Sequence, residues 1–209
     1  MKCKIEIVMH SFPVISNYGL FGLSNIYLIR KGKTNILFDT GGFGQRRAFL
    51  LKLKEMGYSP AEIEHLIISH THWDHIMNVP FFSNAKTYVH HEDMKFARSK
   101  AEEADLSYPL PYMRELLDKS NLKVWDAEEI VVEGIRLIHT PGHTPGSVSA
   151  VMETSWGTTV ICGDHFKNRA EFWSKSYDIR GEERVFMKSV EKILAFKPDA
   201  IAPGHDLPF

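Results

Sequence analysis

Cysteine is scarce in this sequence: Cys3 and Cys162 are the only two among 209 residues. A disulfide scaffold is therefore excluded, and two widely separated thiols favour reduced residues in a cytoplasmic protein. The chain also lacks the run of about 18 apolar residues that a transmembrane helix requires. Its first residues, MKCKIEIVMHSF, contain no apolar signal-peptide core and no small-residue cleavage site. These absences predict a cytoplasmic protein without a membrane partner.

Neither sign of charge dominates, because the formal net charge is −1 at pH 7. Nucleic-acid-binding proteins usually carry a basic excess, so a nucleic-acid partner is not favoured, although a local basic patch would be compatible with this value. Apolar residues make up 44% and charged residues 24% of the chain, the balance of a globular protein. We see no internal repeat and no low-complexity segment, and expect a single domain over residues 1–209.

Short apolar segments typical of strands alternate with a few helical ones. Helices are predicted over 43–58 and 182–196, and a broken helix over 91–121. Strands are predicted over a larger set of segments: 3–9, 25–32, 34–42, 65–69, 122–126, 129–140, 147–154, 157–164 and 199–205. Strand clusters with helices between them, in both halves, suggest two facing sheets with helices outside. The expected fold is therefore α/β (α+β), a four-layer αββα sandwich.

The segment IISHTHWDHIMN, residues 67–78, holds three histidines and an aspartate within six positions. Side chains two apart in an extended backbone point the same way, so His70 and His72 would hold one ion together. Asp74 and His75 are adjacent and point differently, so they would reach a second ion. A solvated loop would explain any one histidine, but it is a poor explanation for the whole cluster. Imidazole and carboxylate suit zinc, with iron or manganese as alternatives.

Three further ligand-type residues follow apolar strands. His143 lies between two Pro-Gly pairs in HTPGHTPGS, Asp164 follows glycine in VICGDHF, and His205 ends the Pro-Gly-His of AIAPGHDLPF. Open sheets present ligands at the carboxyl ends of their strands, so these residues are expected to join the histidine cluster.

Together, HTHWDH, His143, Asp164, His205 and the segment ILFDTGG resemble the motifs of the metallo-β-lactamase superfamily, in the same order from about residue 20 onwards. The resemblance implies the αββα fold with a dinuclear metal site at one edge. It implies that Asp39 orients ligands without binding metal. It also implies seven ligands for two ions: His70, His72 and His143 for one, Asp74, His75 and His205 for the other, and Asp164 bridging both.

A metal-dependent hydrolase is the function that the resemblance implies. Two ions about 3.5–4 Å apart would share a bridging hydroxide, formed from water with a pKa lowered towards ~7. The hydroxide would attack an ester, thioester, lactone or phosphodiester of a small-molecule substrate, and Asp74 would act catalytically by passing a proton to the leaving group.

Substrate contacts are less defined. Lys167 occupies the position where acyl-homoserine lactonases carry a tyrosine, which counts against a lactonase with the same oxyanion partner. Lys167 and His165, which follows the bridging aspartate, are candidate substrate-binding residues. Segment 11–25 is either a loop over the ions or a hairpin turn packed on the core, and segment 165–180 is a further candidate lining of the cleft. Lys167, Arg169 and Arg180 form a locally basic stretch, either a solvated helix face or a contact for an anionic substrate.

Two other functions stay open. A metal-dependent nuclease would need a long basic groove. A mononuclear iron dioxygenase acting on persulfides would use mainly the first three histidines, so the complete second set disfavours it. Exposed aromatic residues leave a homodimer open.

Overall fold

The computed structural model describes residues 1–16, 19–99, 107–109, 112 and 121–209, with the side chains of 12–16, 19–21 and 97 outside the description. The strands are, in chain order, β1 (Lys4–Met9), β2 (Phe12–Ser16), β3 (Gly19–Leu23), β4 (Ile26–Lys31), β5 (Thr34–Phe38), β6 (His65–Ile67), β7 (Lys86–His90), β8 (Leu122–Trp125), β9 (Glu129–Val132), β10 (Ile135–His139), β11 (Val148–Thr154), β12 (Gly157–Gly163) and β13 (Ala200–Pro203). The helices are α1 (Arg46–Glu55), α2 (Trp73–Ile76), α3 (His91–Arg98), α4 (Arg169–Ser174) and α5 (Glu183–Leu194). Short 3-10 turns cover Phe43–Gln45, Pro60–Glu62 and Val79–Phe81.

Within the described residues, the strands form two large sheets and one hairpin. The first sheet has the order β1-β4-β5-β6-β7-β8, and the second has the order β13-β12-β11-β10-β9. Strands β2 and β3 pair with each other as the hairpin. The parallel pairs are β5-β6, β6-β7 and β7-β8 in the first sheet and β12-β13 in the second.

Alternation along the strands builds the core in three layers. In β4, Tyr27 and Ile29 point between the two sheets, whereas Ile26 and Leu28 point to the outer layer. The outer face of the first sheet is covered by α1, whose Phe49 and Leu53 lie one turn apart and are fully buried. The outer face of the second sheet is covered by α5, which buries Phe186, Ser189, Val190 and Ile193 on one stripe. The predicted αββα sandwich is confirmed.

The carboxyl ends of the central strands meet at one edge of the sandwich. Main-chain hydrogen bonds tie the two sheets together there, from Asn25 N to Gly204 O at 2.7 Å and from Val148 N to Ser69 O at 2.9 Å. The segments that follow β5, β6, β10, β12 and β13 therefore converge, and these are the segments that carry the predicted ligands.

Most predicted elements are found with altered ends. The helix expected over 43–58 is a 3-10 turn followed by α1, and Gly57, at a φ of +89°, lies just after it. Segment 11–25 is mainly the β2-β3 hairpin, and its residues 17–18 lie outside the described ones. The predicted helix over 91–121 is confirmed at α3, and most of its remainder also lies outside the described residues. Every described helix is too short or too polar to span a bilayer.

Leu66 tests the packing of the first sheet against its helices. Leu66 in β6 is fully buried, whereas Leu51 on α1 is 51% exposed. We expect Leu66→Ala to lower the free energy of unfolding by about 2–5 kcal/mol, because it leaves a cavity in the core. The matched variant Leu51→Ala should change it by less than about 0.5 kcal/mol. Equal losses for the two variants, measured by urea unfolding, would contradict the packing described here.

Candidate metal centre

The first group of ligand-type side chains contains three buried histidines. After β6 the chain leaves the sheet, and His72, at φ −70° and ψ 151°, stays extended up to the start of α2. This backbone brings His70 Nε2 to 3.0 Å from His72 Nδ1. His143, from the loop after β10, places its Nε2 3.2 Å from the same Nδ1 atom. One nitrogen from each ring lies within 4.8 Å of the other two, a spacing that fits one ion.

The second group begins in the first turn of α2. Asp74 Oδ2 lies 3.6 Å from His75 Nε2 and 3.5 Å from His205 Nε2. Burial acts to lower the pKa of His75, but the carboxylates of Asp74, Asp164 and Asp39 outweigh it and raise that pKa well above its ordinary value. Negative charge therefore surrounds His75, and a cation would balance that charge.

Asp164 lies between the two groups. Its Oδ2 is 3.6 Å from His143 Nε2 and 3.1 Å from His205 Nε2, and its Oδ1 is 3.3 Å from His75 Nε2. The predicted bridging aspartate thus contacts a histidine of each group. This placement of the Asp164 carboxylate requires glycine at position 204, because a Cβ at Gly204 would lie 2.1 Å from Asp164 Oδ1.

Asp39 contacts the second group through His75. It directly follows β5 and adopts a φ of +62°, a left-handed conformation that aspartate tolerates better than most residues. Its Oδ1 accepts from Ser69 N at 2.7 Å, and its Oδ2 accepts from Ser69 Oγ at 2.8 Å. Its Oδ2 also lies 2.8 Å from His75 Nδ1. Burial raises the pKa of Asp39, with His75 opposing the shift. These contacts fit the orienting role expected from the sequence.

The donor set fits divalent ions. His75 Nε2 and Asp164 Oδ1 are buried atoms that make no hydrogen bond within the described residues. Burial lowers the pKa of His70 and of His143 well below the ordinary value, so both rings are neutral and offer a lone pair. Neutral imidazole and carboxylate are the ligand forms that bind zinc and similar ions.

One residue that supports this centre was missed by sequence reasoning. Asp93 in α3 is fully buried, and its Oδ2 accepts from Thr71 N and from Thr71 Oγ1, the latter at 2.7 Å. Its Oδ1 accepts from Gly146 N at 3.2 Å, so the carboxylate joins the loop of His70 and His72 to the loop of His143. In the sequence, Asp93 looks like any acidic residue in the first turn of a helix.

A cavity of about 760 Å³ opens beside both groups. Besides several of the ligand-type residues, segment 165–180 contributes much of its lining: Lys167, Asn168, Glu171, Asp178 and Arg180. Lys167 therefore lies where a substrate contact was predicted. His165 does not belong to this lining; its ring is buried and stacks on Phe186 at a centroid distance of 4.1 Å. We leave His165 out of the proposed substrate contacts.

The basic stretch predicted in this segment is paired with carboxylates. Arg169 Nε lies 2.9 Å from Asp206 Oδ2, and Arg180 Nε lies 3.4 Å from Asp178 Oδ2. Lys167 Nζ also forms an ion pair with Asp178. A second cavity, also of about 760 Å³, shares His143 and Arg180 with the first. Its remaining walls are largely apolar: Phe96, Tyr108, Pro141, Pro145 and Val185.

Comparisons with known proteins agree with the motifs. The sequence profile of the metallo-beta-lactamase superfamily matches residues 19–205. Metallo-beta-lactamase domain-containing protein 1 of Xenopus laevis is 28% identical over 99% of this chain and 81% of its own length. The Mus musculus protein of that name is 33% identical over 83% of this chain and 60% of its own length. N-acyl homoserine lactonase of Bacillus cereus is 33% identical over 74% of this chain and 60% of its own length.

Solved structures show the same fold. A metallo-beta-lactamase candidate from Thermotoga maritima superposes with a TM-score of 0.79 and 24% identity, covering 100% of this chain and 99% of that one. AiiA from Bacillus thuringiensis with bound N-decanoyl-L-homoserine gives a TM-score of 0.77 and 21% identity, covering 98% of this chain and 93% of that one. At these identities, the structural likeness establishes the fold alone.

Gly204 tests the placement of Asp164. We expect Gly204→Ala to lower ion affinity by about tenfold or more, because the new methyl group displaces the Asp164 carboxylate. The control is Gly44→Ala, where a Cβ would meet its nearest atom at 3.9 Å. The zinc affinity of each variant is measured by chelator competition, and its melting temperature is measured alongside. Wild-type affinity in Gly204→Ala would contradict the placement.

Proposed function

This chain belongs to the metallo-beta-lactamase superfamily of metal-dependent hydrolases, and we propose that it uses two divalent ions to hydrolyse small, uncharged esters, thioesters or lactones. The observation that carries the proposal is the convergence of seven ligand-type side chains in overlapping groups. Asp164 lies between His143 on one side and His75 and His205 on the other. A single ion would leave one group of buried donors without a cation.

Each group would hold one ion, most simply zinc, with iron or manganese as alternatives. His70, His72 and His143 would bind the first ion, and Asp74, His75 and His205 the second, with Asp164 reaching both. When bound, such ions supply Lewis acidity, which activates water and polarises a carbonyl oxygen.

Asp74 is the proposed proton carrier of the reaction. It is a ligand-type residue that lies in the cavity lining, so a substrate would lie against its carboxylate. We propose that Asp74 receives the proton of the attacking water and gives it to the leaving oxygen or sulfur atom.

Lys167 is the proposed contact to the substrate oxygen. Its side chain is only 14% exposed, lies in the cavity wall and forms an ion pair with Asp178. A lysine ammonium held at this position would stabilise negative charge that develops on the substrate oxygen. Its position is the one where the resemblance noted in the sequence places a tyrosine in acyl-homoserine lactonases.

Charge and shape favour uncharged substrates over phosphodiesters. Lys167 and Arg180 are the lysine and arginine of the described cavity lining, and both pair with Asp178. Glu171 adds a further carboxylate to that lining, so the side chains of the wall offer little positive charge to phosphates that would extend beyond the ions. The neighbouring apolar cavity would accept an acyl or aryl substituent. Relatives named N-acyl homoserine lactonase fit this substrate class.

The other functions find less support. A nuclease would need an extended basic surface, whereas net charge is −1 and the cavity cations are paired. A mononuclear iron dioxygenase would leave the second group without a role. We further propose a cytoplasmic location, because Cys3 and Cys162 are buried free thiols. A homodimer through exposed aromatic side chains such as Trp173 stays a prediction.

A substrate panel tests the proposal. Esters, thioesters and lactones of graded acyl length are compared with bis-p-nitrophenyl phosphate, using protein loaded with zinc, manganese or iron. We expect carboxylic substrates to be hydrolysed, with kcat/KM rising with acyl length. Chelation should abolish this activity, and His72→Ala should lower it by about 100-fold or more, since it removes an ion ligand.

The control for His72→Ala is His10→Ala, which changes an exposed histidine outside the cluster. Its activity should equal that of the wild type. Turnover of the phosphodiester alone, or turnover that survives chelation, would contradict the proposal.

A further inference from the structure

A single carboxylate oxygen on the cavity wall meets three basic groups. Oδ2 of Asp178 forms an ion pair with Lys167 Nζ, lies 3.4 Å from Arg180 Nε, and lies 3.9 Å from His143 Nδ1. Asp178 belongs to the segment between α4 and α5 and is not itself in a regular element. The sequence gives no signal for it, because its partners are 2, 11 and 35 positions away.

We infer that Asp178 is a positioning residue that acts on both sides of the centre: it orients His143 as an ion ligand and fixes Lys167 against the substrate. This inference rests on the proposed function. It assigns a role to a residue that is neither an ion ligand nor, in the described contacts, a neighbour of the reacting atoms.

The proposed effect of Asp178 on His143 follows from the different surroundings of the two ring nitrogens of His143. Nε2 faces the ligand group, 3.2 Å from His72 Nδ1. Nδ1 points the other way, is buried, and makes no hydrogen bond within the described residues. Histidines that bind metal ions commonly donate their second N–H to a carboxylate, which fixes the ring and makes it a better ligand. At 3.9 Å, Asp178 Oδ2 is within a small side-chain rotation of accepting that hydrogen bond.

The proposed effect of Asp178 on Lys167 follows from the flexibility of the lysine side chain. A lysine side chain has four flexible carbons, so an ammonium without a partner would sample many positions. The ion pair with Asp178 holds Lys167 in the wall of the cavity, where its side chain is only 14% exposed. The carboxylate thus determines where the charge of Lys167 meets a substrate.

Arg180 fixes the position of the Asp178 carboxylate relative to His143 and Lys167. Its main-chain N donates to Gly142 O at 3.3 Å, in the loop that carries His143. Its Nη1 donates to Ser107 Oγ at 3.2 Å. Because Arg180 also contacts Asp178, the segment that carries Asp178 is tied to the loop of the metal ligand. The Asp178 oxygen that pairs with Lys167 therefore stays beside His143 as well, 3.9 Å from its Nδ1.

The test compares Asp178→Asn with the wild type, starting from chelator-stripped protein of the full chain. Zinc is titrated in the presence of a competing chelator, and the two binding steps are fitted separately. We expect one step, that of the group containing His143, to weaken by about 10–100-fold, as found when partners of metal ligands are removed. The other step should stay within about twofold of the wild type, because the described ion pairs of Asp178 reach His143, Lys167 and Arg180 and none of the second group.

Two further variants separate this role from general effects of charge and packing. Glu129→Gln removes the carboxylate of a comparable ion pair, 2.8 Å from Lys123 Nζ and away from the cavity lining, and should leave both steps unchanged. Lys167→Met should not weaken zinc binding, although it should lower kcat on the carboxylic substrates. Asp178→Asn should lower kcat as well, whereas Asp178→Glu should restore part of the lost zinc affinity.

Several outcomes would overturn the inference. Wild-type zinc affinity in Asp178→Asn would show that His143 does not depend on the carboxylate. Equal weakening of both steps together with a lower melting temperature would indicate a structural role only. A wild-type chain that binds none of zinc, manganese and iron would instead contradict the proposed function, so the two failures are distinguishable.

Discussion

Burial of many ionisable groups at one edge of the sandwich is the constraint on which the rest of this structure depends. His70, His72, His75, His143 and Asp164 are all nearly inaccessible to solvent. Burying such groups is costly unless each finds a hydrogen bond or an opposite charge. Asp39 and Ser69 satisfy part of the cluster from the protein side, and the remaining donors converge on space that cations would fill. Bound cations would thus balance the charge at this edge.

The buried ionisable groups are brought together by positive φ angles and close contacts at the ends of the strands. Asp39 adopts positive φ directly after β5, and Gly163 does so directly before Asp164. Gly142 has a φ of +141°, and a Cβ there would lie 2.6 Å from Phe186. These positions turn the chain where regular strands cannot. Glycine adopts positive φ without steric strain, and the packed sheets beneath Asp39 offset the cost of its left-handed conformation. Asp93 then joins two of the loops from the helix side, so the centre is fixed from several elements at once.

The sequence predicted those parts of the structure that depend on local pattern. Apolar and polar residues alternate in strands such as 26–31 and recur at helical spacing in 183–194, because one face of each element is buried. Histidine or aspartate directly after a strand indicated where the ligands meet. Other parts depend on contacts between distant segments and had no local signal. Asp93 and Asp178 each serve loops that are remote in sequence. Lys167, Arg169 and Arg180 form a locally basic stretch in the sequence, and in the structure they pair with Asp178 and Asp206. His165 lies in the turn after β12, and its buried ring stacks on Phe186 of α5, a contact between distant segments.

Anomalous X-ray diffraction from crystals grown with zinc, recorded on both sides of the zinc absorption edge, tests whether this edge holds two ions. We expect two anomalous peaks, one among His70, His72 and His143 and one among Asp74, His75 and His205, with Asp164 between them. A single peak in the first group would indicate a mononuclear centre. No peak in either group, from zinc-loaded protein with an intact fold, would contradict the account.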